Sequence, residues 1–452
     1  ADTTANKRTI MTDRLLRDDR YARRMSELFN VMLMERRGTD PAWNRFLVDS
    51  FKSNRHWDSM VETIIEPDLT NESEQGAGYF LTKRLEKYGQ NPTDHPGLAS
   101  DIGRLFMGVD LACAQCHDHL FVDDYSQSDF QGLFAFVSNT FIRSDTEFPA
   151  IGQKVMKIPL EFQSVFEEEM FTTGPRIPGG TELEVPEYDK DNEFAIAPDP
   201  KSKAPGVPVF NPLHYLSTTL PTAKNAQFQT NLVNRLWASM MGRGLVWPLD
   251  LHHSDNPASH PELLSLLASE FVKHDFDIKW FIRELALTKT YQRSSILQTP
   301  TSTVQKAEAE YRVFREKALS PEQLMWSILK ATAAKTRYPI ELDDEQKKCV
   351  NFWLLNRYAS SVNGDRDAQE LAVILTNQNY NKNWNELGTK HPKLQWQILC
   401  STHNADSDIR SHQWIGFKKK TGNNKSIKLI QQIYPNMKQD EVELLARLST
   451  KK

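Results

Sequence analysis

Phe106-Met107-Gly108-Val109-Asp110-Leu111-Ala112-Cys113-Ala114-Gln115-Cys116-His117-Asp118-His119 is the stretch from which the rest of this 452-residue chain is read. Two cysteines separated by two residues, with histidine immediately after, form the attachment pattern of a c-type haem. The spacing carries the chemistry. Each thiol adds to one haem vinyl group, the two-residue gap matches the separation of the vinyls, and His117 lies beneath the iron as proximal ligand. His119 follows too closely to reach the opposite haem face, which places it at the haem edge or on a propionate.

The same residues allow other chemistry. Cys113, Cys116, His117 and His119 are two thiolates and two imidazoles, a ligand set for zinc or non-haem iron. The single residue between the histidines makes a tetrahedron hard to close. A third reading is a redox or hydrolytic enzyme acting on polysaccharide, with acid–base groups drawn from Asp110, Asp118, Asp123, Asp124 and Asp129. No pair among these stands out, and solvated carboxylates are the simpler reading. Whether the protein is an enzyme is left open.

Working outward, the preceding helix has Ser100 as its cap and Ile102, Leu105, Phe106 and Val109 on one face, against which a haem would sit. Ser126 to Val137 reads as an amphipathic helix carrying Phe130, Leu133, Phe134 and Val137. Earlier helices are expected over Tyr21 to Met34, Pro41 to Phe51, from Trp57, and over Ala77 to Tyr88. Arg17, Arg20, Arg23 and Arg24 read as a solvated face, with a propionate clamp as the sharper alternative. From Phe148 to Pro212 proline, glycine and acidic residues dominate, with strand-like runs at Lys154–Ile158 and Thr181–Val185. The acidic runs here suit a basic partner, or simply a solvated loop.

The second half is again helical. Asn225 to Met241 carries a stripe of Phe228, Leu232, Leu236 and Met240, ended by Gly242 and Gly244. Ser259-His260-Pro261-Glu262 and Ser320-Pro321-Glu322-Gln323 are capping boxes opening two further helices, and Asp277 to Leu287 forms another between them. Beyond Asn381 the chain is polar, with Lys418–Lys420 and a short terminal helix. The expected class is mainly α: a helical domain at 1–142, an irregular Pro/Gly-rich acidic segment with a few short strands at 143–212, a helical domain at 213–380, and a polar C-terminal region at 381–452.

A formal net charge of −4 gives no reason to expect nucleic acid as the partner. No apolar run approaches the roughly 20 residues of a membrane span. The opening Ala1-Asp2-Thr3-Thr4 lacks a signal peptide and fits a processed or truncated product. Four cysteines are too few for a disulfide scaffold at this length. Cys349 and Cys400 are either buried thiols or one bridge. Thioether attachment is usually completed outside the cytoplasm, so the motif points to an extracytoplasmic protein.

Phe106 to Ala112 running into CAQCHDHLF, then Gln127-Ser128-Asp129-Phe130 and Leu133 to Phe136, resembles the planctomycete cytochrome-like family. Asn234-Arg235-Leu236-Trp237, Gly242 to Val246, Pro248-Leu249-Asp250, Ser259 to Leu264 and Lys289 to Ser295 are similar to the planctomycete-specific domain that commonly follows it. The resemblance spans about residues 12 to 380 and brings no established activity. Three departures stand out. Leu120 replaces the family's usual proline. His252-His253 replaces an acidic–aromatic pair, as local variation or an extra ligand. The chain also starts where the family's first domain is already under way, so an N-terminal portion is expected to be missing.

The sixth iron position is open to Met107, Met156, Met170, His95, His214 and His260. His260 falls on a family motif and is the named distal candidate, although a histidine in a capping box is usually structural. Asn234-Arg235 and Asp250 are expected to be structural, through a buried Arg–Asp pair joining helix to loop. The reading adopted is mono-haem c-type electron transfer, with a protein redox or assembly partner accounting for the chain's size.

Overall fold

In a computed structural model, the residues described run from 4 to 323, apart from 5, 88, 190–191, 297–307, 309, 318 and 321–322, all inside a compact unit spanning 1–328. It is mainly helical with a few short antiparallel strand pairs, the class expected from periodicity. The helices are α1 (Lys7–Leu16), α2 (Asp19–Met34), α3 (Pro41–Lys52), α4 (Trp57–Ile65), α5 (Glu72–Gln75), α6 (Tyr79–Leu85), α7 (His95–Ile102), α8 (Gln127–Val137), α9 (Pro212–Thr219), α10 (Ala226–Met241), α11 (Pro261–Lys273) and α12 (Ile278–Leu287). Three two-stranded antiparallel ribbons lie between α8 and α9: β1 (Thr140–Ile142) with β2 (Ile151–Gln153), β3 (Leu160–Gln163) with β4 (Met170–Thr173), and β5 (Phe194–Ile196) with β6 (Val207–Pro208).

Helix starts follow local chemistry. The Asp18, Asp40, Asp94, Ser126, Asn211, Asn225 and Asp277 side chains each accept a backbone N–H of the first turn. Proline begins α3, α9 and α11, where its missing N–H costs nothing. Gly242 ends α10 at φ +87°, in the left-handed region that glycine enters without a Cβ clash.

Several expectations are corrected. Ser100 does not cap a helix: Asp94 does, and Ser100 lies inside α7. The chain then continues through a π-helical turn, Gly103–Met107, so the apolar stripe belongs to one longer helical run. Lys154–Ile158 and Thr181–Val185 are not strands: the Lys154 N–H donates to the Asn139 carbonyl at 2.8 Å and the Leu183 N–H to the Pro175 carbonyl at 2.9 Å, and these contacts do not extend into a ladder. At α11 the cap position falls on His260, with no side-chain cap, rather than on Ser259. In the other capping box, the Gln323 N–H reaches the Ser320 hydroxyl at 3.2 Å and the Ser320 N–H reaches Gln323 Oε1 at 2.9 Å. The helix expected beyond it, the C-terminal region and Cys349 and Cys400 lie outside the described residues.

One continuous core runs through the described helices. Trp57 stacks on Phe228 at 6.2 Å and packs on Phe106 at 6.0 Å, so α4, the π-turn and α10 meet at one point. Phe228 in turn meets Phe276, whose carbonyl accepts the Trp57 N–H. The face of Leu105 and Phe106 is therefore fully covered by protein, which overturns the expectation that a haem would lie against it.

A chain of ions crosses this core. Arg84, with its side chain 1% exposed, donates to Asp101 at 2.8 Å and to the Leu33 carbonyl at 2.6 Å. Burial pushes the Arg84 guanidinium down to about 10, opposed by Asp101. Burial alone would raise the Asp101 carboxyl, but Arg84, Arg104 and Arg37 outweigh it and hold it below the usual range. Truncation of one partner strands a charge in the interior. Asp101→Ala is expected to cost about 3–5 kcal/mol in denaturant unfolding, and a loss below about 1 kcal/mol would contradict this role for the pair.

Candidate functional site

The motif sits on a loop between the π-turn and α8. Gly108, at φ +74°, turns the chain out of the π-turn. A Cβ there would lie 2.8 Å from His252 Cδ2 and 2.9 Å from Asn231 Oδ1. Cys113–Gln115 form one turn of 3-10 helix, anchored by Ala114, which is fully buried and donates to the Leu111 carbonyl at 3.0 Å. Burying Ala114 turns both flanking cysteines outward: Cys113 and Cys116 are exposed free thiols. The Gln131 amide donates to the Gln115 carbonyl at 2.9 Å, with Gln127, one turn earlier on α8, reaching it at 3.4 Å. Asp118 accepts the Gln127 N–H at 2.7 Å, fastening the loop to the start of α8.

His117 is half-buried. Its Nδ1 lies 2.6 Å from the Asp118 carbonyl, an acceptor only, so Nδ1 is the donor of that contact and Nε2 is the nitrogen left to ligate. The ring packs on Phe166 at 4.9 Å, and the Val165 N–H donates to the Cys116 carbonyl at 3.0 Å. The β3–β4 turn is thus fixed to the motif. His119 points elsewhere: its Nδ1 accepts the Phe121 N–H, and its ring meets Tyr125 edge-on at 5.9 Å. Among the described residues no group of three or more His, Cys, Asp or Glu side chains is gathered to hold a metal ion.

The distal candidates are scattered. Met107 is buried in the main core, Met156 in a small cluster with Ala135 and Phe210. The His95 Nε2 lies 2.8 Å from the Thr140 carbonyl, and His214 pairs with Glu66. His260 contacts the Ser259 hydroxyl and the Tyr311 ring. Met170 is exposed and pairs with Gln163 on the ribbon that reaches the motif. Of the clustered aspartates, Asp129 pairs with Arg176 and Asp124 accepts from Ser254. Arg20 of the arginine-rich stretch is exposed and paired with Asp18.

Behind the motif lies a second loop, from Pro248 to Ser254. The His252 N–H donates to the Gly108 carbonyl at 3.0 Å, Val109 bridges to Leu251, and the Tyr125 hydroxyl donates to the His252 carbonyl at 3.2 Å. His253 packs on the Tyr125 ring at 5.5 Å. Asp250 bonds Arg235 of α10 and lies 3.3 Å from Arg104 of the π-turn. Arg235 also reaches the Arg104 carbonyl at 2.9 Å, and Asn231 the Leu105 carbonyl at 2.7 Å. The Arg–Asp pair expected from sequence is present. Phe166, Tyr125 and Gln131 carried no sequence signal of their own, and Gln127 was marked only as part of the family-like Gln127-Ser128-Asp129-Phe130 stretch.

Two family models match the chain. Residues 1–141 match PSCyt2, described as a protein of unknown function (DUF1549), and residues 214–392 match PSD1, described as a protein of unknown function (DUF1553). They are planctomycete-type families, in the order expected from the motifs. No curated protein and no solved structure matches the chain. The motif loop lies in the PSCyt2 match and the loop behind it in the PSD1 match, so these hydrogen bonds join the two matched regions.

Burial pushes the His252 imidazole down to about 4, with Arg235 adding to the shift and Asp250 opposing it. A depressed histidine value stabilises the fold above the unfolded value of 6.5, and that contribution is lost as pH falls toward 4. The loss is about 3 kcal/mol from the size of the shift. His252→Gln does not titrate, so its stability should fall less than the native protein's between about pH 7 and 4.5; parallel curves would contradict the assignment. Gly108→Ala, strained in φ and crowded by His252 and Asn231, should cost about 1–3 kcal/mol in the same unfolding measurement.

Proposed function

We propose that the chain is an extracytoplasmic mono-haem c-type protein serving electron transfer, alone or within a larger assembly. The observation that carries the reading is one loop holding two outward, free thiols with two residues between them, followed by a histidine whose Nδ1 proton is already committed to a carbonyl. That tautomer leaves Nε2 as the ligating atom, and a backbone acceptor on the other nitrogen is the support a ligating imidazole ordinarily has. The donor set fits the group. A haem held there would supply a one-electron couple whose potential is set by its axial ligands and burial.

The chain's own residues have two tasks. Cys113 and Cys116 would hold the group through thioethers, each S–H adding across a vinyl double bond with the thiol hydrogen passing to the neighbouring carbon, so that no oxidant would be consumed. His117 would ligate through Nε2, its ring oriented by the Asp118 carbonyl and by Phe166. Covalent attachment is completed outside the cytoplasm, hence the proposed location. Among the described residues no helix is long and apolar enough to cross a membrane.

Protein purified from its native host should give a c-type pyridine haemochrome band and an intact mass raised by one haem. Cys113→Ser/Cys116→Ser should lose both, while His117→Ala keeps the covalent mass and changes the spectrum. Native protein without haem but with stoichiometric zinc or iron would overturn the reading in favour of a Cys/His metal site.

A further inference from the structure

Beside the thiols the surface combines exposed apolar side chains with acidic charge. Leu120, Phe121, Val165 and Phe166 are 64%, 82%, 65% and 68% exposed. The first pair follows the motif directly. The second belongs to the β3–β4 turn, brought against the motif by the Val165–Cys116 hydrogen bond and the Phe166–His117 ring contact. Neither the stretch from Leu105 to Ile142 nor that from Ile158 to Pro175 contains a lysine or arginine. Several carboxylates in these stretches are used by the fold: Asp118 by Gln127, Asp124 by Ser254 and Asp129 by Arg176. Glu167, Glu168 and Glu169 are not. All three are exposed, follow Phe166 directly, and form no ion pair among the described residues.

Three successive like charges in the β3–β4 connection repel one another, and Phe166, directly before them, is 68% exposed despite its ring contact with His117. An apolar centre with a charged rim is the anatomy of a transient protein interface. The sign of the rim selects the occupant. Acidic proteins, nucleic acids and anionic membranes are repelled, and a small polycation would satisfy the carboxylates while leaving the apolar centre wet. We propose that this face docks a protein whose contacting surface is rich in lysine and arginine around an apolar centre, steered over Cys113–His117 by Glu167, Glu168 and Glu169. That the partner exchanges electrons rests on the haem reading. The docking itself does not.

The test titrates the full chain with a lysine-rich soluble cytochrome c as probe, and with an acidic redox protein of similar size as control. At about 20 mM ionic strength the basic probe should bind with Kd in the micromolar range, weakening about tenfold or more by about 200 mM. Glu167→Gln/Glu168→Gln/Glu169→Gln, with an unchanged thermal midpoint, should weaken binding about tenfold, since rim charges act through steering. Absence of binding at low salt, equal binding of the acidic control, or an unchanged Kd in the triple variant would overturn the proposal. So would glutamate-dependent self-association of the protein alone, which would make the occupant a second copy. Cys113→Ala/Cys116→Ala separates the two ideas. If the native protein carries no haem and this variant binds equally, the electron-transfer role fails and the docking surface stands.

Discussion

The line of alternating charges Asp101–Arg104–Asp250–Arg235 is the constraint on which the rest depends. Asp101 lies on α7, Arg104 in the π-turn that continues it, Asp250 on the loop behind the motif and Arg235 on α10, so the Arg104–Asp250 link ties together segments distant in sequence. Desolvating such groups costs several kcal/mol each, offset only when every partner is in place. Burial lowers the Arg235 guanidinium against the pull of Asp250.

From this line follows the posture of the motif. The π-turn leaves the Leu105 and Arg104 carbonyls where Asn231 and Arg235 can bond them, and Gly108 then turns the chain outward past His252. Ala114 is sunk, both cysteines face solvent, and α8 holds the Gln115 carbonyl from the other side. Rigid backbone with outward thiols suits attachment of a large planar group better than enclosure of a small ion. It also explains why residues from the PSD1-matching region are needed beneath a motif that belongs to the PSCyt2-matching region.

Much of this was legible in the chain itself. Asn225 and Gly242 bracket α10, Pro41 and Asp277 open α3 and α12, and the Arg235–Asp250 pair was expected, because caps, prolines and apolar stripes act within a few residues. The misreadings share a cause. Ser100 looked like a cap because serine caps helices well, but Asp94 with Pro96 formed the start earlier and the π-turn carried the run onward. The stripe of Leu105 and Phe106 reads the same whether a cofactor or Trp57 and Phe80 cover it. Phe166 beside His117, and Tyr125 beside His252 and His253, are contacts between distant segments with no local signature. The strand-like runs at Lys154 and Thr181 failed for the same reason, since a strand needs a partner that sequence alone does not name.

The most direct test of the account is hydrogen exchange across residues 104–126 in the native protein and in Asp250→Asn, which removes the charge while keeping the shape. The account predicts that exchange rises selectively in the π-turn and motif loop, with α2, α3 and α4 protected as before. Unchanged protection of 104–126, or a uniform rise through every helix, would contradict the claim that this charge line holds the motif in place.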